Sequence, residues 1–180
     1  MPTRFPWRAL VLAALCLAPP AARADEAQEI EKLYRAGELQ QALQRADAAI
    51  AAQPRAAQIR FLKGVVLTDL KRNAEAMQVF VSLTQDYPEL ADPYNNLAVL
   101  YAADGQLDSA RVSLQTALRN DPSHLAARQN LGDVYLALAL QAWAAASTAS
   151  KEDDPQLRRK LRLAREIQAV PPGTATPAPG

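Results

Sequence analysis

The sequence repeats itself with a regular period, and this period constrains the fold more than any other feature. When residues 57–90 are aligned with residues 91–124, residues of the same kind coincide along both segments. The coinciding pairs include Gly64 with Ala98, Ala76 with Ala110, Phe80 with Leu114, Leu83 with Ala117 and Pro88 with Pro122. The same register extends in both directions and gives four copies. A period between about 20 and 50 residues indicates stacked supersecondary units that each bury one face against a neighbour.

Each copy is predicted to fold into two helices joined by a tight turn. Residues 95–110 (NNLAVLYAADGQLDSA) are rich in helix formers, yet Gly105 lies among them. Glycine reaches positive φ without a Cβ clash, so it is favoured just past the end of a helix. Ala98 and Ala110 are predicted to be small because two helices cross closely there. Enlarging either of them is expected to cost about 1 to 3 kcal/mol through overpacking.

Polar residues and prolines predict where two of the helices begin. In the third copy Asp92 is the predicted N-cap and Pro93 the first helical residue, where a missing N–H costs nothing. In the second copy residues 71–73 (KRN) replace the glycine. Asn73 is therefore predicted to cap a helix over residues 74–85.

The C-terminal part of the chain departs from the repeat. After NLGDVYLALALQAW no glycine or polar turn follows, so residues 125–150 form either one long helix or a tight hairpin, and we favour the hairpin. Asp154 and Pro155 predict the start of a last helix over residues 156–168. Residues 170–180 (VPPGTATPAPG) are predicted to be a disordered tail, because they carry no charge and too little apolar surface to bury.

This pattern resembles the tetratricopeptide repeat (TPR) family, whose signature places a large residue, Leu-Gly and Tyr in the first helix and Ala, Phe, Ala and Pro later. The fourth copy has Leu131, Gly132 and Tyr135 at the first-helix positions. The resemblance implies an all-α fold, a right-handed superhelical stack of antiparallel helix pairs with a C-terminal capping helix. The predicted units of this TPR-like domain, residues 25–169, are repeats at about 25–56, 57–90, 91–124 and 125–154 and a cap helix at 155–169.

The N-terminal segment, residues 1–24, is predicted to be a secretory signal peptide. Arg4 and Arg8 make a positive N-terminal region, residues 9–18 are an apolar run, and residues 22–24 (Ala-Arg-Ala) form a small-x-small cleavage site. The apolar run is too short to span a bilayer, which needs about 20 residues. We therefore expect an exported protein that begins at Asp25, is periplasmic or secreted, and has no integral membrane segment after signal cleavage.

Cysteine content and charge exclude several classes of function. The one cysteine, Cys16, lies in the apolar run, and Leu15 occupies the place where lipid attachment would require a small residue. The exported chain would therefore have no disulfide, thiol catalysis or thiolate metal site. It would carry 17 basic residues against 19 acidic ones, so we expect no nucleic-acid partner.

No constellation of residues for catalysis or metal binding is recognisable. The only histidine, His124, is predicted to be a surface residue in the turn between the third and fourth copies, with no second histidine to complete a metal site. The sequence lacks a G-x-S-x-G motif, a phosphate loop, a dinucleotide fingerprint and H-E-x-x-H. We expect no enzymatic activity, no cofactor and no metal.

The predicted binding site is the concave surface that forms when stacked helical hairpins curve into a superhelix. The resemblance implies that the first helix of each pair lines this surface. The lining residues carried over in this way are Tyr34, Arg35, Phe61, Val65, Thr68, Asn95, Asn96, Val99, Gln129 and Asp133. The amides could bind the backbone of an extended peptide, or they could form a solvated face. Phe61 and Val65 either form an apolar pocket or pack between repeats.

Some TPR proteins hold a partner's terminal carboxylates with a clamp of two lysines, an arginine and two asparagines. This chain keeps Asn96 but has Phe61, Val65, Ala126 and Asn130 at the other four positions. Recognition of that kind is therefore disfavoured.

Three hypotheses of different kinds follow. The leading one is an exported, non-enzymatic scaffold that binds a protein or peptide segment, as an adaptor or assembly factor in a bacterial cell envelope. A second is binding of anionic lipid or polymer by the last helix. The cations of that helix are Arg158, Arg159, Lys160, Arg162 and Arg165. A third is oligomerisation through residues 137–149, in which Trp143 is either an anchor or buried within its own chain.

Overall fold

The computed structural model describes residues 20–149 and 154–169 of the chain, with side chains from Glu26 onward. These residues form eight α-helices and no strand. The helices are α1 (Pro20–Arg35), α2 (Leu39–Ala52), α3 (Ala57–Asp69), α4 (Asn73–Asp86), α5 (Ala91–Ala103), α6 (Leu107–Asn120), α7 (Leu125–Ala149) and α8 (Pro155–Gln168). Residues 1–19 of the predicted signal peptide and the whole predicted tail, residues 170–180, lie outside the described residues.

The period of the sequence is reproduced in the boundaries of the helices. The helices α3 and α5 begin and end one period apart, and so do α4 and α6. The same interval separates α2 from α4 and the first residue of α5 from the first residue of α7. Each helix packs against the next one along the chain. The predicted all-α stack of antiparallel helix pairs is therefore confirmed.

Three turns within the repeats share one hydrogen-bonded geometry. In each turn, backbone N–H groups just past the first helix donate to carbonyls of its last turn at 2.8–3.1 Å. The residue at the turn has a positive φ, which is +77° at Gly37, +76° at Gly105 and +61° at Lys71. Gly105 therefore ends α5 as predicted. The second copy makes the same turn with a lysine, which lacks the freedom of glycine in this region.

Two of the predicted helix starts are wrong. The helix α5 begins at Ala91, so Asp92 is not its N-cap, and Pro93 lies inside the first turn, where its missing N–H still costs nothing. The helix α4 begins at Asn73 itself, which therefore does not cap it. The Asp92 carboxylate instead reaches His124 in the turn that follows α6. Asp92 therefore contacts a side chain 32 residues later in the chain and does not cap its own helix.

The first helix begins earlier than the sequence indicates. It starts at Pro20, a residue type that is tolerated at the first helical position. The predicted cleavage site after Ala24 thus lies within α1. This helix packs against both α2 and α3, and it buries Ala27 and Ile30.

Residues 125–149 form one helix, so the hairpin that we favoured from the sequence is wrong. The helix α7 runs without a break from Leu125 to Ala149. Its second half, LALALQAWAAASTA, contains no glycine, proline, asparagine or aspartate, and alanine and leucine are among the strongest helix formers. A turn in this segment would leave backbone groups unpaired that the continuous helix satisfies.

The last helix begins as predicted. Asp154 is the N-cap of α8, and its Oδ1 accepts hydrogen bonds from the backbone N–H groups of Gln156 at 2.8 Å and Leu157 at 3.1 Å. Pro155 occupies the first helical position. The predicted combination of an aspartate cap and a following proline is therefore confirmed.

The helix α8 runs back along the second half of α7. Lys160 Nζ lies 5.8 Å from the ring centroid of Trp143, which is half-buried against α8. The last residue of α8, Gln168, lies in the same cleft as Ala137 of α7. Because α8 stops beside Ala137, it does not continue along the first half of α7.

The buried side chains form two apolar clusters along the stack. The larger one extends from α1 to α5 and contains Phe80, the largest fully buried side chain. The smaller one joins α5, α6 and α7. Ala98 and Ala110 are both buried, which agrees with the predicted close crossing of α5 and α6.

Candidate binding cleft between α5 and α7

An open cleft of about 480 Å³ lies between α5 and α7, with α6 behind it and the end of α8 at its side. Ala98 and Leu114 form a buried, apolar floor. Two further alanines, Ala102 and Ala137, also line the cleft, and small side chains at these positions leave room between the helices. The lining is almost free of charge, because its one ionisable side chain is that of an exposed aspartate on α7.

Val99 and Asp133 are the two predicted groove residues that line this cleft. Val99 lies on α5 with 44% of its surface exposed, and Asp133 is exposed on α7. The structure therefore brings together two side chains that lie one period apart in the sequence. A guest segment in the cleft would contact both of them.

Asn95 is a predicted groove residue that the structure places elsewhere. It is only 9% exposed, and its Oδ1 accepts a 2.9 Å hydrogen bond from Asn130 Nδ2 across the α5–α7 contact. Asn130 lines the cleft in its place. Asn130 was not among the predicted lining residues, although its position one period after Asn96 indicates the same face of the first helix. Gln168 also lines the cleft, and no signal for it exists without knowledge of the path of α8.

The other two amides of the predicted set do not line the cleft. Asn96 is partly buried, and its Nδ2 donates a 2.9 Å hydrogen bond to the Asp92 carbonyl one turn earlier in the same helix. Gln129 is exposed on α7. Asn96 thus uses part of its hydrogen-bonding capacity within α5.

Phe61 and Val65 pack against the larger apolar cluster. The ring of Phe61 lies 5.8 Å from that of Phe80, centroid to centroid, at an angle of 57°. Thr68, one turn beyond Val65, donates its hydroxyl to the Gly64 carbonyl at 2.9 Å. These contacts agree with the packing interpretation of Phe61 and Val65, and the structure places neither residue in the α5–α7 cleft.

Tyr34 and Arg35 lie at the other end of the stack and make contacts of their own. The Tyr34 hydroxyl donates a 2.7 Å hydrogen bond to Asp69 Oδ2, which joins α1 to α3. This hydrogen bond, together with burial and the negative charge of Asp69, raises the pKa of Tyr34 to about 12. Arg35 is exposed and pairs with Glu31 one turn earlier. Both side chains therefore bind partners within the chain.

The sequence profile of the tetratricopeptide repeat family matches residues 28–91 and 95–155, which together make up more than half of the chain. The chain belongs to the tetratricopeptide repeat family. The first matched segment holds the second half of α1 and all of α2, α3 and α4. The second begins within α5 and reaches the start of α8. No curated protein matches the sequence.

Several solved structures are similar to this chain at low sequence identity, and they share its fold. The first TPR domain of Spaghetti (RPAP3), bound to the HSP90 peptide SRMEEVD, has a TM-score of 0.62 and 16% identity, covering 68% of this chain and 97% of that one. A thermophilic TPR protein of Thermus thermophilus has a TM-score of 0.61 and 20% identity, covering 82% and 83%. MamA of Desulfovibrio magneticus, from residue 41 onward, has a TM-score of 0.59 and 22% identity, covering 82% and 77%.

His124 lies in the predicted turn between α6 and α7, where its side chain is largely covered and has a structural role. Its side chain is only 13% exposed, and its Nδ1 accepts a 3.1 Å hydrogen bond from the backbone N–H of Ala127 at the start of α7. Because Nδ1 accepts, Nε2 carries the proton and donates to Asp92 Oδ1 at 3.1 Å. Among the described residues, no group of three or more His, Cys, Asp or Glu side chains could hold a metal ion.

A second depression in the TPR array, of about 620 Å³, lies between the ends of α7 and α8. Arg158, Arg162 and Arg165 line it beside Ser147. Arg162 Nε is 3.8 Å from Glu166 Oε1, a distance typical of a weak, exposed ion pair. Three of the five cations predicted for the last helix therefore share one face. Over the described part of the chain, no helix combines the length and the apolar character needed to cross a bilayer.

Proposed function

We propose that this chain is an exported, non-catalytic scaffold that holds a protein or peptide segment in the cleft between α5 and α7. The observation that carries the proposal is the cleft itself, an open space of about 480 Å³ with an apolar floor and few polar groups at its rim. The similar TPR domain of Spaghetti (RPAP3) binds a peptide, which supports a peptide ligand for this fold. The signal-like residues 1–24 support export, and with it a role in cell-envelope assembly.

The chemistry of the cleft favours an uncharged guest segment. Asp133 is its only ionisable lining residue, so an acidic guest would be repelled and would find no cation to pair with. The floor of Ala98 and Leu114 suits small apolar side chains. The amides of Asn130 and Gln168 can hydrogen-bond the backbone of an extended segment. Since the carboxylate clamp is missing, we expect a guest that differs from the acidic peptide SRMEEVD.

Replacing Val99 with aspartate is expected to lower capture of the partner from envelope extract by at least about tenfold, equivalent to about 1.4 kcal/mol. The new carboxylate would lie on α5, across the cleft from Asp133 on α7, and an uncharged guest would have to desolvate both charges. The measurement is pull-down with the purified protein as bait, followed by quantitative mass spectrometry of the captured proteins.

The matched control for this experiment is Val112→Asp. Val112 is similarly exposed, at 51%, but it lies on α6 and does not line the cleft. Capture should be unchanged in this variant, and circular dichroism should show that both variants remain folded. Equal capture by the wild type and by both variants would remove the cleft from the proposed function.

The arginines of α8 support a second candidate function, binding of an anionic lipid surface. Arg158, Arg162 and Arg165 line one depression, and each basic residue near an anionic membrane contributes about 1 kcal/mol of attraction. The double variant Arg162→Gln with Arg165→Gln is then expected to sediment less with phosphatidylglycerol liposomes than the wild type does. The binding should also fade as salt is added. Sedimentation that is indifferent to both changes would count against this candidate.

A further inference from the structure

The path of α8 brings the C-terminal end of the described chain to the binding cleft. Its last residue, Gln168, lines the cleft together with Ala137. From Ala137 back to Leu125, α7 extends beyond the end of α8. A segment that follows Ala169 therefore starts beside the cleft.

The chemistry of the segment that follows matches the lining of the cleft. Residues 170–180 (VPPGTATPAPG) contain four prolines and no ionisable side chain. The cleft offers an apolar floor for proline, valine and alanine side chains, and its only ionisable residue is Asp133. Prolines lack the N–H donor, so such a segment presents more carbonyl acceptors than donors. The amide groups of Asn130 and Gln168 can supply donors to those carbonyls.

The length of the segment is sufficient to fill the cleft. The residues of α7 that line the cleft extend from Ala137 to Asn130, a distance of about 10 Å at a rise of about 1.5 Å per residue. A proline-rich segment in the polyproline II conformation advances about 3.1 Å per residue, so about four residues cover this distance. The eleven residues after Ala169 exceed that requirement.

We propose that residues 170–180 fold back into the cleft between α5 and α7 and occupy it when no guest is bound. This inference rests on the proposed function, because it makes the same cleft a site for which the chain's own tail and the guest compete. Because residues 170–180 are covalently attached to α8 beside the cleft, their effective concentration there is in the millimolar range. Even a weakly binding segment can therefore occupy the cleft. The chain thus binds strongly only those guests whose affinity exceeds that competition.

The experiment compares amide NMR spectra of the purified protein with those of a variant that ends at Ala169. Deleting the tail is expected to shift the amide signals of Val99, Asp133 and Ala137, while those of α1 and α2 stay in place. Adding the synthetic peptide VPPGTATPAPG to the truncated variant should move the three signals back toward their original positions. About millimolar peptide should be required, because the free peptide lacks the tether.

Two further variants identify the cleft as the site. In the full chain, Val99→Asp should reduce the difference that truncation makes to the signals of Asp133 and Ala137, whereas Val112→Asp should leave it unchanged. Capture from envelope extract by the truncated variant should rise several-fold. Unchanged signals at all three cleft amides on truncation would overturn the inference.

The readouts keep the two proposals apart. If truncation moves the cleft signals but neither form captures a protein in a manner that depends on Val99, the tail docks and the proposed scaffold function fails. If capture depends on Val99 but truncation changes neither the spectra nor the capture, the scaffold function stands and the inference about the tail fails.

Discussion

Replacing Phe80 with alanine is expected to lower the free energy of unfolding by about 3 to 5 kcal/mol. Phe80 is fully buried in α4, where its ring packs against Gly64 and lies 5.8 Å from the Phe61 ring, both on α3. Truncation removes the apolar contacts of the ring and leaves a cavity that rigid helices can only partly close. Urea unfolding followed by circular dichroism measures the loss.

Phe61→Ala provides the matched control for this prediction. Phe61 is partly buried and packs against the same cluster, so its truncation should cost about half as much. It should also leave partner capture unchanged, because Phe61 does not line the α5–α7 cleft. A larger loss of stability for Phe61→Ala than for Phe80→Ala would contradict the burial of Phe80 at the centre of this cluster. If the folded Phe61→Ala variant captured less partner than the wild type, Phe61 would have to be part of the binding surface.

The repeat units were predictable because their boundaries depend on local chemistry. The turn at Gly105 needs a residue that tolerates positive φ, so a glycine within a run of helix formers indicates where the turn lies. The N-cap at Asp154 depends on an aspartate and on the proline that follows it. The period of the repeat then carries each local inference to the other copies. Lys71 adopts the same turn with φ of +61°. A lysine does not by itself indicate such a turn, but its position one period before Gly105 does.

The positions that were wrong depend on distant partners. Asn95 is buried because Asn130, 35 residues later, donates to it. Asp92 reaches His124 and does not cap its own helix. Neither contact can be predicted from the local sequence pattern. Helical periodicity shows which residues share a face of a helix, but it does not show which neighbouring helix covers that face.

The cleft itself could be predicted only in part, for the same reason. Val99 and Asp133 follow from the register of the first helices, and both of them line it. Gln168 lines the cleft because α7 continues as one helix to Ala149 and α8 then runs back along it. The sequence of residues 136–149 contains no stop signal, and we interpreted it as a hairpin by analogy with the other repeats. In this segment the high helix propensity of alanine and leucine determines the structure, and the turn expected from the repeat period does not form.

Two glycine-to-alanine substitutions are expected to change stability in opposite directions. A Cβ atom at Gly64 would lie 2.6 Å from Cε1 and Cζ of the buried Phe80 ring, so Gly64→Ala must displace that ring. The overpacking costs about 1 to 3 kcal/mol, which exceeds the gain of up to about 1 kcal/mol in helix propensity. A Cβ at Gly132 in α7 would meet nothing within 4 Å. Gly132→Ala should therefore stabilise the protein by about 0.5 to 1 kcal/mol.

The third repeat suggests a compensating change that tests the cause of this effect. Ala98 and Leu114 occupy the positions that Gly64 and Phe80 hold in the second repeat, so a larger helix residue there faces a smaller partner. The double variant Gly64→Ala with Phe80→Leu recreates that pairing. In a double-mutant cycle, its loss of stability should be smaller than the sum of the two single losses by about 1 kcal/mol or more. Strict additivity would show that the ring and the new methyl group do not collide, and the close approach of α3 and α4 at Gly64 would then need another explanation.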